Sequence, residues 1–278
     1  MLKVKYFVNG IKKYIPKRES SFVDVSLCGV PLKVLKNSIR LQQDKDDAWW
    51  FFLTKHHNII FDIGSNVGYM SLLALIQNPN RQILLVDPNP KALQAASKMF
   101  LENQIGFRAN YYSAFVSDTC DEAVTFYTIG TGAAGSMYAS HAKTASQTNS
   151  FMNVKSVTLD YLMSFYEVLP DLVKIDVEGA EALVLAGSKK LADKSKCGFF
   201  IEMHCNDQLT MVNNTQMVLD WCVSVAYNAW YLKTGTLLTS PKPVEHRGKY
   251  HLLLLPEEKS YPGYLTGIAE ASTLPESL

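Results

Sequence analysis

Between Asn58 and Met203 short apolar runs alternate with amphipathic ones, and this alternation restricts the chain to very few folds. Residues 58–63 predict a strand and 67–77 a helix stopped by Asn78-Pro79; residues 82–86 predict a second strand. A helix then opens at Asn89-Pro90, with Leu93, Ala96 and Phe100 on one face. Strands follow at 107–116, 124–129, 172–176 and 199–203, with a helix carrying Ala180, Leu183, Val184 and Gly187 on one face between the last two. Strand and helix in turn give right-handed βαβ units and a mostly parallel sheet wound on both faces. After a helix at 208–226, strands at 229–232 and 251–255 are expected to pair antiparallel across a Gly/Pro/Thr-rich loop.

The two ends read differently. Residues 4–8 meet Ile11 across Asn9-Gly10, and residues 23–27 and 32–35 flank Cys28-Gly29-Val30-Pro31, which predicts two hairpins. Lys3, Lys5, Lys12, Lys13, Lys17 and Arg18 crowd the first, as a solvated face or a docking patch for an anionic partner. The aromatic run Ala48-Trp49-Trp50-Phe51-Phe52-Leu53 predicts a helix starting near Asp46 or Asp47. The chain therefore divides into a β-rich extension (1–45), an α/β domain (46–256) and a polar, Pro/Gly-punctuated tail (257–278) expected to be partly disordered. Thr131-Gly132-Ala133-Ala134-Gly135-Ser136 and the polar stretch to Ser150 read as a mobile lid or an inert surface loop.

Composition narrows the function classes. Over 278 residues, 27 basic against 26 acidic side chains leave a net charge of +1, without the basic excess of a dedicated nucleic-acid binder. At 47% hydrophobic residues the chain can bury a large core. Five scattered cysteines form no C-x-x-C pair and read as small hydrophobes in a reduced compartment. The first fifteen residues lack the apolar core of a signal peptide, and the most apolar stretch, 58–77, is broken by Asp62, glycines and polar residues. A cytoplasmic protein without a transmembrane segment is expected.

The chemistry concentrates at strand ends. Phe61-Asp62-Ile63-Gly64-Ser65-Asn66-Val67-Gly68-Tyr69 is a strand ending in an acid, a Gly-x-Asn-x-Gly turn and a helix start. Ligands of open α/β sheets bind beyond the carboxyl ends of strands, where this turn falls. A dinucleotide fingerprint would require glycines where Asn66 and Tyr69 stand, so a ligand without phosphate suits the turn better. The next strand ends in Asp87, an acid placed to accept hydrogen bonds from ribose hydroxyls, within the helix-capping string Asp87-Pro88-Asn89-Pro90. A ribose without phosphate points to S-adenosylmethionine.

These strings, with Thr158-Leu159-Asp160-Tyr161-Leu162 and Lys174-Ile175-Asp176-Val177-Glu178-Gly179-Ala180-Glu181, resemble the ordered motifs of FkbM-type methyltransferases. Phe200-Ile201-Glu202-Met203-His204 and His251-Leu252-Leu253-Leu254-Leu255-Pro256 extend the likeness to residues 58–256. The resemblance implies a Rossmann-like class I methyltransferase fold, with a seven-stranded doubly wound sheet whose last strand is antiparallel. It implies S-adenosylmethionine as methyl donor and O-methylation of a hydroxyl on a small molecule, sugar or glycan. Two departures are Asp87, where the family more often has Glu, and Ser65, where Ala is common. By position, Asp62, Gly64, Ser65, Asn66, Gly68 and Tyr69 shape the methionine end, Asp87, Pro88 and Asn89 hold the ribose, and Phe115 and Asp118 flank adenine. Asp176 faces the sulfonium, and Glu178 either joins it or caps the following helix.

A hydroxyl nucleophile profits from a base, and His204 is the candidate, with Asp176 and Glu202 as alternatives. The Lys174 stem is expected to snorkel out of the sheet. No carboxylate–histidine spacing fixes a metal site, so no metal is expected, a divalent ion on Asp176 and Glu202 being the alternative. Two further readings stay open: a nicotinamide-dependent oxidoreductase on the same sheet, and a non-catalytic methyltransferase-like binding module.

Overall fold

The computed structural model describes residues 22–36, 38–40, 44–128, 136–137, 147, 150–205 and 209–278. The hairpin expected at 4–11, the six basic residues around it and the Thr131–Gly135 part of the loop lie outside them.

The main sheet runs β5 (Ala109–Tyr112), β4 (Gln82–Val86), β3 (Ile59–Ile63), β9 (Leu172–Ile175), β10 (Gly198–His204), β13 (Lys249–Pro256), β11 (Tyr227–Tyr231) and β12 (Thr236–Leu237). The five strands from β5 to β10 are parallel, and β13 inserts antiparallel between β10 and β11. This is the expected doubly wound α/β sheet with its last long strand reversed, and the two-residue β12 makes an eighth strand.

Alternate residues of each strand feed two cores. Phe61, Ile63, Leu84, Val86, Phe199 and Ile201 pack with α4 (Leu159–Tyr166), α5 (Glu181–Ala186), α6 (Lys189–Ser195) and α7 (Met211–Val225). Ile60, Ile83, Leu85, Phe200 and Leu253 pack the other way, with α1 (Asp47–Thr54), α2 (Tyr69–Leu75) and α3 (Pro90–Glu102). Burial on both faces explains why these strands read as continuous apolar runs.

Three elements differ from the sequence expectation. The strand expected at 107–116 divides: β5 stays in the main sheet, while β6 (Phe115–Val116) joins a side sheet with β8 (Phe151–Val157) and β7 (Ala123–Tyr127). No strand is expected over Phe151–Val157, because only its last residues are buried and the rest alternate between exposed and half-buried. The tail is packed rather than disordered. Leu265 and Leu274 are buried in the second core, Trp49 Nε1 donates to Ile268 O at 2.8 Å, and Ala271 N donates to Lys45 O at 3.0 Å. The hairpin of β1 (Phe22–Leu27) and β2 (Val30–Leu35) turns through Cys28 and Gly29, both at positive φ, as two-residue hairpins require. It docks on α3, where Lys33 N and O bond the Asn103 side chain at 2.9 and 2.7 Å.

Candidate active site

The chain runs outward from β3 to β5 and then returns to β9 on the other side of β3. A cavity of about 260 Å³ opens at the carboxyl ends of the strands along that seam. Seams of this kind are where open α/β sheets hold ligands.

The β3 turn forms one wall. Gly64 has φ +75°, and a Cβ there would stand 1.8 Å from Asp176 O, so only glycine lets the two strand ends meet. Gly64 N and Ser65 N both donate to Val86 O, at 2.9 and 3.2 Å. Asn66 is left-handed at φ +47° and aims its backbone N at Asp87 Oδ2, 2.8 Å away. Asn89 N donates to the other carboxylate oxygen at 2.8 Å. Burial pushes the Asp87 carboxyl up to about 6 against the pull of these two amides. Asn89 also caps α3 through Lys91 N, and its Nδ2 reaches Thr128 Oγ1 at 3.3 Å, tying this wall to the side sheet. Ala114, Phe115 and Phe126 add an apolar patch.

Side-chain charge builds the opposite end. Lys174 does not snorkel. It is 2% exposed, and its Nζ lies 3.3 Å from both Asp62 Oδ1 and Asp176 Oδ2. Burial opposes its charge, but Asp62 and Asp176 outweigh that and raise its pKa, because two acids at this range repay the desolvation of one ammonium. Against the effect of burial, Lys174 and then His204 hold Asp176 down at about 2. Behind it, His204 Nδ1 bonds Glu181 Oε1 at 2.9 Å, and Asn214 Nδ2 donates to Glu181 Oε2 at 2.9 Å and to His204 O at 2.8 Å. His204 Nε2 faces Glu178 Oε2 at 3.7 Å and Glu202 Oε1 at 3.9 Å. Burial works against its charge, yet Glu181, Asp176 and Glu178 lift its pKa to about 10 and keep the ring protonated at neutral pH. Glu178 (φ +55°) lines the cavity beside Asp176, and the Gly179 amide is taken by Glu181 Oε1 at 2.9 Å.

The cavity brings together Gly64, Ser65, Asn66, Tyr69, Asp87, Pro88, Asn89, Phe115 and Asp176 of the expected residues. Three others stand elsewhere. Asp62 is fully buried beneath the turn, accepting from Ser71 Oγ at 2.6 Å as well as pairing with Lys174. Gly68 faces inward, where a Cβ would stand 2.9 Å from Ala96 Cβ, so it serves the close packing of α2 on α3. Asp118 is exposed beyond the end of β6 and accepts from Ser117 Oγ at 3.0 Å. Of the residues expected to act on the acceptor, only Asp176 lines the cavity; Glu202 and His204 stand behind it, His204 beside a shallow depression with Lys45 and Lys249.

Arg40 lines the cavity without having been expected. Its Nη1 pairs with Asp46 at 2.9 Å and Asp47 at 2.6 Å, and its guanidinium lies 5.3 Å from the Tyr69 ring centroid. The Tyr69 hydroxyl in turn donates to Asp47 Oδ2 at 3.0 Å. Among the described residues, two sets bring possible metal-ligand atoms within 4.8 Å of one another: Asp176, Glu202 and His204, and Asp46, Glu202 and His251.

A doubly wound sheet with a glycine turn and an acid at successive strand ends defines an α/β protein that holds a small ligand at its switch point. Residues 62–222 match the methyltransferase FkbM domain, and the chain belongs to that family. No sequence among the curated proteins matches it. Among solved structures it is similar to methyltransferase FkbM from Methylobacillus flagellatus KT, with 13% identity and a TM-score of 0.46, over 72% of this chain and 44% of that one. It is also similar to cofactor-bound Rv0187 from MTB, with 12% identity and a TM-score of 0.46, over 79% of this chain and 84% of that one. M. jannaschii TYW2 in complex with AdoMet is 8% identical with a TM-score of 0.46, over 85% of each chain. This chain thus spans less than half the length of the Methylobacillus protein. Likenesses this distant carry no residue roles and no substrate. Among the described residues no helix is long and apolar enough to cross a membrane.

Proposed function

We propose that this chain is an S-adenosylmethionine-dependent methyltransferase acting on a hydroxyl of a small molecule, sugar or glycan. The observation that carries the reading is the Asp87 carboxylate, held by the Asn66 and Asn89 amides at the edge of a switch-point cavity in a chain of the FkbM family. Bound there, the donor supplies an electrophilic methyl carbon on a sulfonium. Asp87 accepts from the ribose hydroxyls with the lone pairs its two amides leave, and Gly64, Ser65 and Asn66 bring backbone close to the amino-acid end. Ala114 and Phe115 offer adenine an apolar surface. Asp118 is too far out for this role, so we assign it none.

Asp176, fixed by Lys174, sets a negative charge against the sulfonium. The acceptor lies at the Asp176 end. There Glu181 holds the His204 ring by Nδ1 while Nε2 faces Glu178 and Glu202, so that the ring, charged at neutral pH, orients these carboxylates rather than taking the hydroxyl's proton itself. Alignment of oxygen, methyl and sulfur supplies most of the acceleration.

Incubation with methyl-labelled S-adenosylmethionine and a cell extract, followed by mass spectrometry, tests activity and acceptor together. The expected result is label on a hydroxyl-bearing small molecule or glycan; label on nitrogen, or none, overturns the O-methyltransferase reading. Calorimetry with S-adenosylhomocysteine tests the cofactor placement separately, and an undiminished affinity in Asp87→Ala overturns it.

A further inference from the structure

His251 is 2% exposed, and neither ring nitrogen has a hydrogen-bond partner. A buried imidazole in that condition is rare, because each unpaired nitrogen loses its hydration without return. The ring is held between Trp49, at a centroid distance of 5.5 Å, and Phe200, stacked at 5.9 Å. Its Nε2 points between Asp46 Oδ2 at 3.8 Å and Glu202 Oε1 at 3.7 Å. Those separations are too long for hydrogen bonds. They approach the edge of about 3.4 Å expected between ligands of a tetrahedral ion with bonds of about 2.1 Å.

Two other observations point the same way. Asp46 precedes α1 at the N-cap position, yet its side chain makes no capping bond. Arg40 takes Oδ1 and leaves Oδ2, which has no hydrogen-bond partner, turned to His251. Carboxylates crowd this group: Asp44, Asp46, Asp47 and Glu202 meet Arg40 and Lys249 through contacts of 2.5–3.8 Å.

We propose that Asp46, Glu202 and His251 form a binding site for a divalent first-row metal ion such as Zn²⁺ or Mn²⁺. Two carboxylate oxygens and one imidazole nitrogen are the donor set that suits these ions better than a soft ion. Lys249 Nζ, now 2.5 Å from Glu202 Oε1 and 3.6 Å from Asp44, competes for the same oxygen and has to swing outward; its side chain is 36% exposed, which leaves it room. The ion would join the start of α1 to β10 and β13 and thereby fix the segment that carries Arg40 to the cavity. The site does not depend on which methyl donor or acceptor the cavity takes.

The full-length protein is analysed for bound metal by plasma mass spectrometry as purified. It is then stripped with EDTA and titrated calorimetrically with Zn²⁺ and with Mn²⁺. One ion per chain, bound with a Kd of about 10 µM or tighter, is expected. His251→Phe keeps a ring between Trp49 and Phe200 while removing the ligand, and should weaken binding about 100-fold. Asp46→Asn serves the same purpose should His251→Phe fail to fold. Lys249→Met removes the competing ammonium and should tighten binding. No ion bound by the wild-type chain, unchanged affinity in the folded ligand variant, or weaker binding in Lys249→Met each overturns the proposal.

Discussion

One end of the cleft is made largely from a single βαβ unit, residues 63–89, while the other draws on segments as distant in sequence as Arg40 and Asp176, with His204 and Lys249 standing behind them. At the β3–β4 end the working groups are backbone amides and one acid, positioned by φ angles at Gly64 and Asn66. Such an end depends on few side chains beyond Asp87 and on glycine where the turn is tight. At the β9–β10 end the working groups are charged side chains that hold one another, Lys174 between Asp62 and Asp176 and His204 against Glu181. There, removing one member strands its partners in a place water does not reach.

The comparison breaks most readily at Lys174. Lys174→Met leaves Asp62 fully buried without its ion-pair partner, and should cost about 3–5 kcal/mol in urea unfolding. A loss under about 1 kcal/mol would mean that this end is not held by charge. Next comes Gly64→Ala, whose new methyl overlaps Asp176 O at a position with φ +75°; about 3 kcal/mol and most of the S-adenosylhomocysteine affinity should be lost. A variant that melts and binds like the wild-type chain would remove the steric argument for the turn.

Asp87→Asn should weaken S-adenosylhomocysteine about 10- to 100-fold, because it removes a charged acceptor and turns an amide NH2 toward one of the two backbone donors. Asp87 also predicts a pH signature. Its folded pKa of about 6 lies above the ordinary 3.8, so the stability it contributes is full below pH 3.8 and is lost as pH rises through 6. The ligand-free wild-type chain should therefore lose stability relative to Asp87→Asn between pH 4 and 7, and parallel stability curves would contradict this. The smallest effect is expected at Asp118. Exposed outside the cavity, its replacement by Ala should change stability by under about 0.5 kcal/mol and leave cofactor affinity intact. A tenfold loss of affinity would return adenine to that end.

Legibility in the sequence followed the same division. The long doubly buried strands and the helices between them were readable because an apolar run bounded by turn residues is a local signal. The turn at Gly64 and the acid at Asp87 were readable for the same reason. Phe151–Val157 was not, since its partners Phe115–Val116 and Ala123–Tyr127 supply its regularity and its own residues are mostly half exposed. The tail read as loose because its anchors Leu265 and Leu274 are single apolar residues in a polar segment, and only the surfaces they meet make them core. Lys174 inside a strand suggested an exposed stem; two acids from neighbouring strand ends reverse that inference. Arg40 carried no local signal at all.

By itself, then, the sequence determined the parallel sheet, the order of its units, the family and the half of the cleft that one βαβ unit can make, because those depend on periodicity and backbone conformation within a few tens of residues. Tertiary structure alone decided which charges meet. Asp46, Glu202 and His251 are separated by most of the chain, and no spacing relates them. They converge because α1 precedes the sheet that it covers and because β13 runs antiparallel beside β10, which sets His251 opposite Glu202. Charge depends on distance in space, and a chain folded into a sheet brings its most distant residues as close as its neighbours.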